Sequence, residues 1–115
     1  ASALRECGIT LNFNSLPFDP NGPLITSGLR IGTAAATTLG MTEIEMAEIA
    51  AIIRLVLDNT KAALLTSGKN AGKASKRKYE LDAGAKEEAQ QRIQALLGQF
   101  PVYPELDLDL LNTVF

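Results

Sequence analysis

The stretch Thr26-Ser27-Gly28-Leu29-Arg30-Ile31-Gly32-Thr33 sets one cation in a short apolar run between small residues. In an extended segment side chains alternate, so Leu29 and Ile31 turn one way and Arg30 the other. With Leu29 and Ile31 on the core, Arg30 stands on the opposite face with its guanidinium donors free. Gly28 and Gly32 carry no side chain, which lets another backbone or a ligand come close. A planar guanidinium so placed suits a planar anion, a carboxylate or a phosphate, gripped by two parallel hydrogen bonds. The pattern also admits a plainer reading: an exposed arginine on an edge strand, or one paired with a local acid.

Upstream of this strand, Ala1 to Cys7 reads as the last turns of a helix, with Gly8 as its left-handed stop. Ile9, Leu11 and Phe13 then alternate with Thr10, Asn12 and Asn14, the pattern of a half-buried strand with one polar face. Pro17, Pro20, Asn21, Gly22 and Pro23 break it into an irregular loop, which its apolar residues Leu16, Phe18, Leu24 and Ile25 lead one to expect packed down on the domain.

Downstream, Ala34 to Thr38 is small and smooth, suited to close packing against another surface, and Gly40 ends it. Thr42 opens the clearest helix, because Glu45 three residues on completes a capping box. Met46, Ile49, Ala50, Ile53, Val56 and Leu57 recur at helical spacing along it. Residues 66–78 are rich in Gly, Ser and Lys and read as a flexible surface loop, basic at Lys69, Lys73, Lys76, Arg77 and Lys78. Asp82 caps a second helix bearing Ala85, Ala89, Ile93, Leu96, Leu97 and Phe100 on one face. Val102 and Tyr103, between Pro101 and Pro104, are expected as a short edge strand. Residues 105–115 form an alternating acidic and apolar tail that closes on Leu110, Leu111, Val114 and Phe115.

The order strand, loop, strand, helix, loop, helix, short strand predicts an α+β fold: a two-layer sandwich of a small antiparallel sheet with helices on one face. At 115 residues the expectation is one domain spanning 1–115. Hydrophobic residues are 46% and charged residues 21%, an ordinary balance for a globular domain. A formal net charge of −2 favours neither nucleic acid nor an anionic membrane, and no apolar run is long enough to span a bilayer. The single cysteine, Cys7, rules out an internal disulfide and favours an intracellular, cytoplasmic setting. The chain opens at Ala1 without an initiator methionine or signal-peptide pattern, and is expected to be a piece of a longer protein. With no histidine at all, it holds no Ser-His-Asp or Cys-His site and no imidazole-ligated zinc. Glu43, Glu45 and Glu48 sit where a helix dipole favours negative charge, and Asp107 and Asp109 lie in the tail, so no carboxylate pair stands out. A self-contained hydrolase is not expected, nor are metal ligands.

Asn14-Ser15-Leu16-Pro17-Phe18-Asp19-Pro20, then Pro23, the Thr26–Thr33 word, Thr37-Thr38 and Gly40 together resemble serine hydroxymethyltransferase. The likeness is to the C-terminal part of that pyridoxal-phosphate enzyme, runs from Gly8 to about Tyr103 and is densest between Asn12 and Gly40. It implies the small C-terminal domain of fold-type-I pyridoxal-phosphate enzymes. It also implies the interconversion of serine and glycine, in which a one-carbon unit passes to tetrahydrofolate. In the family the arginine of the T-S-G-L-R-I-G-T word pairs with the substrate α-carboxylate, here Arg30. The asparagine that begins N-S-x-P-x-D-P lies near the folate ring, here Asn14. The cofactor's lysine, its stacked histidine and the aspartate at its pyridine nitrogen belong to the family's large domain and have no counterpart here. The resemblance therefore implies that the chain holds no catalytic or cofactor-binding residue and is inactive alone. Its implied partners are the amino-acid substrate, its own large domain, and further copies in a homodimer or tetramer.

Three positions depart from the family's words: Ala34 replaces a proline, Leu39 an arginine, and Phe13 a basic residue beside Asn14. The last two remove cations that could meet the acidic tail of folate. The alternative is a non-catalytic α+β binding or dimerisation module, with Arg30 holding some other carboxylate, or a domain of a related pyridoxal-phosphate aldolase such as threonine aldolase.

Overall fold

In the computed structural model, which describes residues 1–105, the core gathers where α1 (Ser2–Glu6) lies against α3 (Glu43–Asp58) and α3 against α4 (Ala83–Gln99). Ala3, Leu4 and Cys7 from α1 and its cap, Leu11, Ile52 and Val56 from α3, and Ala89 from α4 are buried together. Leu4, Ile52 and Val56 are wholly removed from water. The residues at these positions follow the helical spacing of the sequence, and their burial drives the packing.

Local signals set the helix ends. Gly8 has φ 101° and closes α1 in a Schellman arrangement, with the Ile9 N–H donating to Leu4 O at 2.9 Å and the Gly8 N–H to Arg5 O at 3.0 Å. At the head of α3, Glu45 Oε2 accepts the Thr42 N–H at 2.6 Å and the Thr42 hydroxyl at 2.7 Å. At the head of α4, Asp82 Oδ2 accepts the Ala85 N–H at 2.9 Å. Between the long helices, Arg92 grips Glu48 through two bonds of 2.7 and 2.8 Å.

The strands form two separate antiparallel pairs rather than one sheet. β1 (Asn12–Asn14) pairs with β2 (Gly28–Arg30), and β3 (Thr60–Leu64) with β4 (Ala74–Leu81). The class is α+β, with helices packed beside small antiparallel ribbons.

Several local readings need correcting. Leu16, Phe18 and Leu24, expected to pack the loop down, are exposed, because hydrogen bonds to Asp19 rather than apolar burial order that connection. The strand expected from Ile9 shortens to Asn12–Asn14, since Leu11 is spent in the helical core while Phe13 remains 64% exposed. Ala34–Thr38 is a short helix, α2, in which the Thr37 and Thr38 hydroxyls donate to the carbonyls of Thr33 and Ala34. The basic loop of 66–78 is shorter than expected, because Ala74–Leu81 is a strand that carries Lys76, Arg77 and Lys78. Its polar residues alternate with Tyr79 and Leu81, which pack towards the core. Val102 and Tyr103 form no strand and stay exposed, since Pro101 and Pro104 supply no N–H for a ladder. The tail reading, from Leu106 through Asp107 and Asp109 to Phe115, lies outside the described residues. Among the described residues, no helix is long and apolar enough to cross a membrane.

Candidate functional site

Three cross-strand pairs define the β1–β2 ribbon: Asn12 with Arg30, Phe13 with Leu29, and Asn14 with Gly28. Because side chains alternate, Asn12, Asn14 and Arg30 share one face, and Phe13 and Leu29 share the other. Leu29 packs against the buried cluster, which orients the ribbon and turns the Arg30 face away from the core. Arg30 is exposed, as the strand pattern requires. Ile31, expected on the core with Leu29, is 54% exposed instead, because the strand ends at Arg30 and alternation stops there.

The two sequence-identified residues, Arg30 and Asn14, therefore meet on one surface. They are diagonal neighbours across the ladder, a relation that places such residues roughly 7–8 Å apart. Asn12 stands directly opposite Arg30 and completes a row of two amides and one guanidinium. The alternation Thr10, Asn12, Asn14 already marked Asn12 as polar-faced. Its position opposite Arg30 depends on the ladder register. The ion pairs among the described residues, Arg54–Asp58, Lys86–Glu6, Arg92–Glu48 and Arg92–Glu88, leave the Arg30 fork unclaimed. The Asn14 amide makes only a 3.4 Å contact with the neighbouring Ser15 carbonyl, so it too is available.

Gly28 earns its place by contact. A Cβ there would lie 2.7 Å from the Asn14 carbonyl oxygen and 2.7 Å from Leu16 Cδ2. The close approach expected of Gly28 is thus made by the chain's own backbone and Leu16. Gly32, by contrast, faces open space.

Residues 15–27, which join the two strands, are organised by one carboxylate. Asp19 accepts the Ser27 N–H at 2.7 Å, the Ser27 hydroxyl at 2.8 Å, the Asn21 N–H at 2.9 Å and the Leu16 N–H at 3.3 Å. The Asn21 N–H, then the Ser27 N–H and hydroxyl, hold the Asp19 carboxyl down at about 2. Asn21 Nδ2 adds a 2.7 Å bond to the Ser27 hydroxyl oxygen. The short turn from Asp19 to Asn21 is legible in sequence as an Asx turn. The bond to Ser27, eight residues on, is not.

The chemistry of this surface is recognition. A guanidinium and two amides can bind a carboxylate and the amide edge of a planar heterocycle. None of the three is an amine, so the ribbon's polar face offers hydrogen bonds and one positive charge but no nucleophile.

A family model described as serine hydroxymethyltransferase matches residues 1–53, which include the whole ribbon and α2. The serine hydroxymethyltransferase of Chlamydia trachomatis serovar L2 is 48% identical over 108 residues, covering 94% of this chain and 21% of its own length. That of Treponema pallidum strain Nichols is 45% identical over 113 residues, covering 98% of this chain and 19% of its own length. That of Chlamydia abortus is 46% identical over 109 residues, covering 94% of this chain and 21% of its own length. The chain thus spans about a fifth of the length of these curated relatives. No solved structure matches it.

Proposed function

We infer that this chain is the C-terminal, small-domain segment of a serine hydroxymethyltransferase, residues 1–115 forming one unit, and that it brings to the enzyme the arginine that holds the amino acid. The observation that carries this reading is Arg30: exposed, unclaimed among the described residues, and set beside two amides within the stretch matched by the family model. The reaction is the conversion of serine and tetrahydrofolate to glycine and methylenetetrahydrofolate, a step of one-carbon metabolism. Pyridoxal phosphate, bound by the large domain, supplies the electron sink for breaking and making bonds at the amino acid's α-carbon. Arg30 grips the α-carboxylate with a two-pronged bond, which fixes the direction of the α-carbon's other bonds. Asn14 offers its amide to the folate ring from the same face. The large domain closes over the ribbon, and the intact enzyme works in the cytoplasm as a dimer or tetramer. This segment alone is inactive, since it carries the clamp without the cofactor's anchors.

The test is Arg30→Lys in the full-length enzyme, which keeps the charge and loses the planar fork. A charge-assisted hydrogen bond is worth about 1.5–3 kcal/mol, so serine affinity falls by about ten- to over a hundredfold, while the thermal melt hardly moves. Unchanged serine binding would show that Arg30 serves the surface alone.

A further inference from the structure

We propose that Asp19 is the positioning residue of this site: its carboxylate ties together the two ends of the strand connection and thereby sets how Asn14 and Arg30 are presented. The proposal rests on the reading of Arg30 as the substrate-carboxylate clamp.

The ladder itself is too short to do this. It has three residue pairs, and a two-stranded ribbon of that size is marginal in water. Its strands are joined by residues 15–27, a connection whose closure costs conformational entropy. Only one main-chain bond is formed within that connection, from the Asp19 N–H to Leu16 O at 3.1 Å. Four further bonds in it end on the Asp19 carboxylate, and one more joins Asn21 Nδ2 to the Ser27 hydroxyl that the carboxylate also holds. Through Leu16 it holds the chain two residues past Asn14, and through Ser27 it holds the residue just before Gly28, the cross-strand partner of Asn14. The same Leu16 covers Gly28.

Two further features fit this role. Phe18, beside Asp19, has φ 58° and is the single non-glycine with positive φ among the described residues. Such a conformation is costly and persists where neighbouring contacts impose it. The four donors that fill Asp19 are all uncharged, so the acid closest in sequence to Arg30 on the loop side makes no ion pair with it. Asp19 braces the strand that carries the cation and leaves the cation's fork open to an outside carboxylate.

The experiment uses the full-length, cofactor-loaded enzyme, with serine KM, kcat and thermal melt measured for Asp19→Asn, Ser27→Ala, Arg30→Lys and the Asp19→Asn/Arg30→Lys double variant. Asp19→Asn keeps one acceptor oxygen and the residue's shape, and Ser27→Ala removes one hydroxyl without touching the Ser27 N–H. A charge-assisted bond weakened at the positioning step raises serine KM by about tenfold in Asp19→Asn. Ser27→Ala raises it by about two- to fivefold, and kcat changes less than KM in both. In the Arg30→Lys background Asp19→Asn adds little further to KM, because the fork it presents is gone. If Arg30→Lys raises KM while Asp19→Asn and Ser27→Ala lower only the melt or the active fraction, the clamp stands and the positioning role is overturned. Multiplicative KM effects in the double variant also overturn it. If Arg30→Lys itself leaves KM unchanged, the clamp reading fails and this proposal falls with it.

Discussion

The β1–β2 ribbon and the β3–β4 hairpin are both antiparallel pairs, yet they are ordered by different groups. In the hairpin the main chain closes the turn: the Leu65 N–H donates to Lys73 O at 3.0 Å, and the Gly72 N–H to Leu65 O at 2.8 Å. Gly68 and Gly72, at φ 85° and 84°, let the chain double back. Tyr79 then moors the hairpin to α1, its hydroxyl donating to Glu6 Oε2 at 2.7 Å, while Lys86 Nζ reaches Glu6 Oε1 at 2.6 Å from α4. In the ribbon the turn is held by side-chain chemistry centred on Asp19. A main-chain-built hairpin tolerates exchange of its exposed side chains, whereas a side-chain-built ribbon depends on the identity of a few residues. The resemblance to serine hydroxymethyltransferase is densest over the second kind of structure.

The most disruptive single change within the ribbon, apart from replacement of Arg30, is Gly28→Ala. Its new methyl would collide with the carbonyl of its own ladder partner, Asn14, and with Leu16. Overpacking of this kind costs about 1–3 kcal/mol, and the strands must part to relieve it. Melting of the full-length enzyme drops and serine KM rises with it. Gly32→Ala, with nothing within 4 Å, changes neither. Equal effects of the two substitutions in a melt and a serine titration would show that the close approach at Gly28 does not govern the ribbon.

A smaller effect separates the two turns by pH. Because Asp19 sits at about 2 when folded, below the ordinary value near 3.9, its hydrogen bonds contribute stability that is present above the ordinary value. That contribution is lost as pH falls from about 4 towards 2. The amide resonances of Asn21 and Ser27 therefore stay fixed between pH 6 and 4 and move only below that range. The Leu65 and Gly72 amides, bonded to carbonyls, have no such carboxylate partner. A transition of Asn21 or Ser27 centred near pH 4 would mean that Asp19 is an ordinary solvated aspartate.

The smallest effect is expected from the exposed cations of β4. Replacing Lys76, Arg77 and Lys78, all exposed, with alanine leaves serine KM unchanged and shifts stability by no more than about 0.5 kcal/mol per site. A several-fold change in KM would bring the hairpin into the site.

Much of this architecture was legible because its causes lie within a few residues. The stop at Gly8, the start at Thr42 with Glu45, the cap at Asp82 and the outward turn of Arg30 each follow from neighbours along the chain. The hairpin is not legible in the sequence, because Thr60–Leu64 carries no clear alternation and residues 66–78 look like any polar connector. Its register, with Lys61 opposite Glu80 and Ala62 opposite Tyr79, appears only when the strands meet. The exposure of Ile31 is hidden for the same reason, since alternation says nothing about where a strand loses its partner.

By itself, the sequence determined the helix ends at Gly8, Thr42 and Asp82, the class of the fold, the likeness to serine hydroxymethyltransferase, and Arg30 and Asn14 as polar-faced residues. Only the tertiary structure decided that Asn12 stands opposite Arg30, that Asp19 closes on Ser27, and that the strands form two ribbons instead of one sheet. Caps and alternation arise from atoms a turn or less apart, where the covalent chain already dictates geometry. Register and long-range hydrogen bonds join segments whose separation is fixed only when Leu29, Tyr79 and Leu81 pack around the helical core, so no local pattern can encode them.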